Sequence, residues 1–162
     1  MIFRQWKQVL DGTKTQTRRL VKPDERCRDG ITVSKHWISR FTFMPPAGED
    51  LLRWTFMNPK WQVYHTYTVQ PGRGKKAVGR ICITGIRRER LQLISDEDAE
   101  AEGICLKHNR SGDCGWSNGL DDLLYPRREW AFKALWNSIN KKPGTRWADN
   151  PEVWVLEFEA AQ

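Results

Sequence analysis

The chain has no apolar run approaching the length of a membrane span, and its start, Met1-Ile2-Phe3-Arg4-Gln5-Trp6, lacks the apolar region of a signal peptide. A soluble, cytoplasmic protein with no membrane partner is the expectation. Cysteine is scarce: Cys27, Cys82, Cys105 and Cys114 are the only four in 162 residues, which reads as reduced thiols rather than a disulfide framework. Cys105, His108 and Cys114 offer three metal donors, but their spacing matches no standard finger and a fourth ligand would have to come from far away. No metal and no cofactor are therefore expected. The glycine-rich stretch Gln70-Pro71-Gly72-Arg73-Gly74-Lys75-Lys76 lacks the pattern Gly, four residues, Gly-Lys-Ser/Thr, which excludes a nucleoside triphosphate loop of that type. Internal repeats and low-complexity segments are absent too.

What the chain does carry is uneven charge. Residues 1–94 hold 19 Lys and Arg against 7 Asp and Glu, while residues 95–162 hold 8 against 13. A basic front of this kind suits an anionic partner, with nucleic acid, a nucleotide or a phosphorylated ligand ahead of a membrane. Nine tryptophans in a chain of mean hydropathy −0.70 place large aromatic surfaces in an otherwise polar sequence, in a small core or a base-stacking site. At 19.0 kDa the whole chain, 1–162, fits a single domain.

Residues 2–10 carry Phe3, Trp6, Val9 and Leu10 at helical spacing, with Gly12 as a stop signal. Alternation then predicts a strand over 15–21, another over 61–69, and a third over 77–89 with a possible bulge at Gly85. Between the first two, residues 22–60 are weakly patterned and read as short strands and irregular loops. Ser95 is placed as the N-cap of a short helix with acids in its first turn, ending at Gly103 and leaving Glu102 in the last turn, where the helix dipole disfavours a carboxylate. Residues 109–120 read as a polar loop. Phe132, Leu135, Trp136 and Ile139 mark a core-facing helix from about Pro126 to Asn140, and Glu152 to Glu159 is the clearest strand. Strands and helices without regular βαβ alternation predict an α+β fold with a small curved or barrel-like mixed sheet.

The most concentrated chemistry lies in Gly12-Thr13-Lys14-Thr15-Gln16-Thr17-Arg18-Arg19. Composition alone makes it a polar turn leading into a solvated strand. Written Gly-x-Lys-x-x-Thr-x-Arg, however, it resembles the signature of the ASCH domain of the PUA-like superfamily. The block from Leu91 to Ile104, with Ala99-Glu100-Ala101-Glu102-Gly103, is similar to that family's strand-to-helix segment, and Asn150 to Phe158 to the closing strand of its phage and prophage members. The resemblance implies a PUA-like (ASCH) small mixed β-barrel with flanking helices, carrying a variable insertion at about 22–76. Among small bacterial members that act as N(4)-acetylcytidine amidohydrolases, it puts the catalytic Lys, Thr and Glu on Lys14, Thr17 and Glu102. Arg18 stands where a β-branched apolar residue is usual. Arg18, Arg19, Lys75, Lys76, Trp37 and Trp61, with Trp54 as a further stacking candidate, are the expected substrate-binding residues.

Attack on an amide by the Thr17 hydroxyl needs a base. Lys14 serves only if its ammonium is destabilised, which burial and Arg18 and Arg19 favour and a nearby Glu102 opposes. The other division of roles makes Glu102 the base or proton shuttle, with a charged Lys14 stabilising the oxyanion. Residues 14 and 17 point to opposite faces of a straight strand, so the chain must bend between them for the set to converge. The partner expected is a small nucleoside, or RNA. A non-catalytic RNA- or modified-base-binding module is the alternative, and a ribonuclease a weaker one.

Overall fold

In the computed structural model, residues 1–21 and 61–161 are described. Trp37, Trp54, Cys27 and most of the expected insertion lie outside them. The first helix, α1 (Trp6–Leu10), is shorter than its apolar spacing predicts. Met1 to Phe3 are extended instead: Ile2 bridges Gln70 in parallel, and the Phe3 amide donates to the Gln70 carbonyl at 2.9 Å. Phe3 is nonetheless buried, so its apolar surface is satisfied by the sheet rather than by helix formation.

Strands β1 (Gln16–Leu20), β2 (Thr66–Val69), β3 (Gly79–Arg90) and β6 (Glu152–Ala161) form one antiparallel sheet in the order β1-β6-β3-β2. β3 carries the bulge anticipated at Gly85, between Ile83 and Gly85. The alternation over 61–69 yields a strand only in its last part, because the backbone turns at Tyr64, which has φ +63°. β4 (Cys105–His108) and β5 (Cys114–Ser117) form a separate hairpin. The β5 strand falls where a polar loop was expected; four residues including a glycine give too short a pattern to be read.

The four-stranded sheet is open among the described residues, so closure into a barrel is not seen. Past its N-terminal end, the edge strand β1 meets the end of a helix: the Thr15 amide donates to the Ala101 carbonyl at 2.9 Å. That helix, α2 (Asp96–Ala101), is capped by Ser95, whose side chain accepts from the Asp98 amide. The long helix α3 (Arg128–Ile139) buries Phe132, Leu135 and Trp136 of the expected stripe, together with Ala131, whereas Ile139, expected to face the core, is 47% exposed in the last turn.

The sheet is covered on both faces. Val153 and Val155 of β6 pack with Leu91, Ala99, Ile104 and the buried face of α3. Phe158, two strand positions past Leu156 and so on the opposite face, packs with Phe3, Val9, Val69 and Ile81. This explains why β6 is apolar on both sides. No described helix is long and apolar enough to cross a membrane.

Candidate functional site

Lys14 precedes β1 rather than lying in it, so residues 13–18 are not a straight strand. The turn after α1 bends the chain back: Thr13 donates from its amide and its hydroxyl to Asp11 Oδ1, and the Lys14 amide donates to the Gln8 carbonyl at 2.9 Å. The Lys14 side chain then enters the interior and ends 2.7 Å from Glu102 Oε2. Its Nζ also donates to the Glu102 backbone carbonyl. Lys14 and Glu102 are 4% and 3% exposed, so water does little to separate their charges.

Glu102 is the C-cap of α2, and Gly103 follows it with φ +92°. A Cβ at Gly103 would stand 2.7 Å from Gln8 Oε1, whose side-chain nitrogen donates to the Gly103 carbonyl. The helix end is thus held close against α1, and a left-handed residue without a side chain is what the position requires. The carboxylate that the helix dipole disfavours has acquired cationic partners instead.

Burial holds the Lys14 amine below the ordinary lysine range; the charge and hydrogen bond of Glu102 oppose this, and the positive charges of Arg19 and Arg18 reinforce it. Thr17 lies in β1, three residues past Lys14, 6% exposed and paired with Leu156 of β6, so its side chain is on the face opposite Gln16 and Arg18. Its hydroxyl makes no hydrogen bond among the described residues and is not joined to Lys14 or Glu102. The structure therefore brings Lys14 and Glu102 together directly and leaves Thr17 nearby in sequence with an uncommitted hydroxyl.

Arg18 differs most from its sequence reading. Its side chain is fully buried, and every N–H is engaged: Nε and one terminal nitrogen with Glu89 Oε1 at 3.2 and 2.6 Å, the same terminal nitrogen with Asp98 Oδ2 at 2.7 Å, and the other with Gln16 Oε1 at 2.7 Å and Glu102 Oε1 at 3.4 Å. With its five donors used, Arg18 has none left for a ligand in this arrangement. Arg19, on the opposite face of β1, donates to the Ile2 carbonyl at 2.8 Å and lies over the Phe3 ring, while its Nε is buried without a partner. Lys75 and Lys76 are exposed in the β2–β3 connection and make no side-chain contact with Lys14, Thr17 or Glu102. Trp61 packs edge-on against Tyr67, with ring centroids 5.6 Å apart.

Sequence reading missed the network around Arg18. Arg87 donates to both Asp98 oxygens, at 2.8 and 2.7 Å, and to Glu89 and Glu157. Gln16 Nε2 donates to Asp98 Oδ1 at 2.9 Å. A signal was present: Gln16 and Arg18, and likewise Arg87 and Glu89, stand two apart on strands and so share a face. That face is the one on which Val153 and Val155 meet the helices, so these charges had to find one another. Beside the network a cleft of about 270 Å³ is lined by Thr15, Gln16, Thr84, Glu157, Phe158 and Glu159. Glu157 can lie over β3 because Gly85 has no side chain; a Cβ there would be 2.6 Å from Glu157 Oε2. Among the described residues, no group of three or more His, Cys, Asp or Glu side chains is placed to hold a metal ion. His108 and Cys114 pair across the β4–β5 hairpin, while Cys105 pairs with Ser117.

No protein-family model matches the chain, and no curated protein matches it. Among solved structures it is similar to an ASCH domain from Lactobacillus crispatus JV V101, at 15% identity over 96% of this chain and 69% of that one, with a TM-score of 0.48. Likeness of this degree leaves both family and activity to be argued from the site.

Proposed function

We propose that the chain is an amidohydrolase that removes the acyl group from N(4)-acylated cytosine nucleosides such as N(4)-acetylcytidine, with Thr17 as nucleophile and Lys14 and Glu102 handling the proton. The observation that carries this reading is the buried Lys14–Glu102 contact at 2.7 Å, made across 88 residues of chain and three residues before a threonine whose hydroxyl is unpaired among the described residues. Two Glu102 oxygens, one from the backbone and one from the side chain, occupy two positions around Lys14 Nζ. A neutral amine so held has its lone pair left over, and a lowered ammonium pKa makes that neutral form more accessible.

In the first step the Thr17 oxygen bonds to the acyl carbon while its proton passes to Lys14 Nζ. The resulting ammonium is stabilised by Glu102. The C–N bond then breaks, the proton moves from Lys14 to the departing cytosine N4, and the acyl group remains as a threonine ester. Water hydrolyses that ester by the same proton path, releasing a carboxylic acid. The first step needs the Thr17 hydroxyl within reach of Nζ, a contact that substrate binding must complete.

Purified protein is expected to release cytidine from N(4)-acetylcytidine, with Thr17→Ala and Lys14→Ala each reducing kcat/KM by about 100-fold or more. Chromatographic measurement of cytidine checks this. No release by the parent protein would end the amidohydrolase reading. The exposed Arg73, Lys75 and Lys76 favour a second reading, a non-catalytic RNA- or modified-base-binding module. Tight, salt-sensitive RNA binding without cytidine release would decide for that module.

A further inference from the structure

We infer that Arg18 is a positioning residue: it fixes the Glu102 carboxylate, and through it the Lys14 amine, without touching substrate. The inference rests on the amidohydrolase reading for its kinetic consequences, but its geometry stands apart from it. Glu102 is gripped from two sides, by Lys14 at Oε2 and by Arg18 at Oε1. Arg18 is in turn immobilised by Gln16, Glu89 and Asp98, and its guanidinium lies 5.7 Å from the Phe132 ring centroid.

The charges explain why an arginine suits this position. Glu89 and Asp98 each contact both Arg18 and Arg87, and Glu157 also contacts Arg87, so two cations face three carboxylates before Glu102 is counted. Arg18 offsets part of this surplus, and Glu102 keeps its shorter contact for Lys14, at 2.7 Å against 3.4 Å to Arg18. A lysine at position 18 would keep the charge but offers three donors from one point, which cannot span acceptors on β1, β3 and α2 together. An apolar residue would leave Glu89, Asp98, Glu157 and Glu102 facing only Arg87 and Lys14. The Lys14 ammonium would then be stabilised by surplus negative charge and relieved of a neighbouring positive one.

Full-length Arg18→Met and Arg18→Lys proteins test this in two ways. With N(4)-acetylcytidine, both are expected to lose about 10-fold or more in kcat with KM unchanged within about two-fold. The acidic limb of the kcat profile should move to higher pH in Arg18→Met and stay in place in Arg18→Lys. Independently of activity, the Lys14 side-chain resonance of lysine-labelled protein, assigned with Lys14→Ala, should titrate at higher pH in Arg18→Met than in the parent.

A rise in KM with kcat intact would show that Arg18 contacts substrate and would overturn the inference. So would an unchanged Lys14 titration in Arg18→Met accompanied by kcat losses no larger than the loss of folded protein. If the parent releases no cytidine, the amidohydrolase reading fails alone, and the Lys14 titration still decides the role of Arg18. Should Arg18→Met not fold, Arg18→Lys decides: a kcat loss at constant KM supports positioning, and full activity overturns it.

Discussion

Lys14 and Glu102 are nearly shut off from water; Lys14 is paired with Glu102 at 2.7 Å, and Glu102 has a further cation, Arg18, at 3.4 Å. Removing one partner of such a pair leaves an uncompensated charge, at a cost of about 3–5 kcal/mol, whereas replacing both with apolar groups is often close to neutral. Lys14→Met and Glu102→Leu are each expected to lower stability by about 3 kcal/mol or more, with Glu102→Leu softened where Arg18 retains Glu89 and Asp98. The double variant is expected to recover most of the loss, so the effects will be strongly non-additive in urea midpoints. Additive losses would mean that the two groups do not depend on each other. At this scale the sequence was informative about residue types and silent about distance. Lys14 and Glu102 could be singled out, but Arg18 could not be moved from a ligand contact to an internal one, because its four acceptors come from β1, β3 and α2.

At the scale of elements, α2 is a six-residue helix whose two ends do different work. Ser95 caps its start and Asp98 ties it to two strands, while its last turn delivers Glu102 to Lys14. Gly103 sets that delivery. Gly103→Ala is expected to cost about 1–2 kcal/mol from its left-handed backbone alone, with a further loss from collision with Gln8, and thermal unfolding will report it. Elements with strong periodicity and clear punctuation were legible: α3, β6, the bulge at Gly85 and the cap at Ser95 all stand where spacing puts them. The start of α1 was misread because Phe3 satisfies a helical spacing and a sheet contact equally well. β5 was missed because Cys114-Gly115-Trp116-Ser117 gains strand structure from pairing with β4 and from the Trp116–Tyr125 bridge, not from its own pattern.

Across the whole molecule, the ionic network joins β1, β3, β6 and α2 on one face of the sheet. Burial by itself would raise the Asp98 carboxyl, but hydrogen bonds from Gln16, Arg87 and Arg18 and the Arg18 charge outweigh it and hold the group below its ordinary value of 3.8. A carboxyl depressed in the folded state contributes stability that is fully present above its unfolded value and is lost as pH falls through its folded one. The stability gap between the parent and Asp98→Asn should therefore be constant near neutral pH and narrow as pH drops below 3.8. Denaturant titrations at a series of acid pH values measure it; a gap independent of pH would show that the Asp98 charge does not stabilise the fold. That the sheet is open among the described residues was the part of the architecture least visible in advance, since strand alternation describes each strand and says nothing about whether the first and last edges meet.

The strand order β1-β6-β3-β2 has a consequence for biosynthesis. β6 is made after every other described strand, yet it lies between β1 and β3 and is hydrogen-bonded to both. While the ribosome is still short of Glu152, β1 lacks the strand it pairs with among the described residues, yet Lys14, Thr15 and Arg18 already have their partners Glu102, Ala101, Glu89 and Asp98 in the chain. The Lys14–Glu102 contact therefore draws only on residues made before β6, and what β6 adds is the pairing that joins β1 to β3 in one sheet.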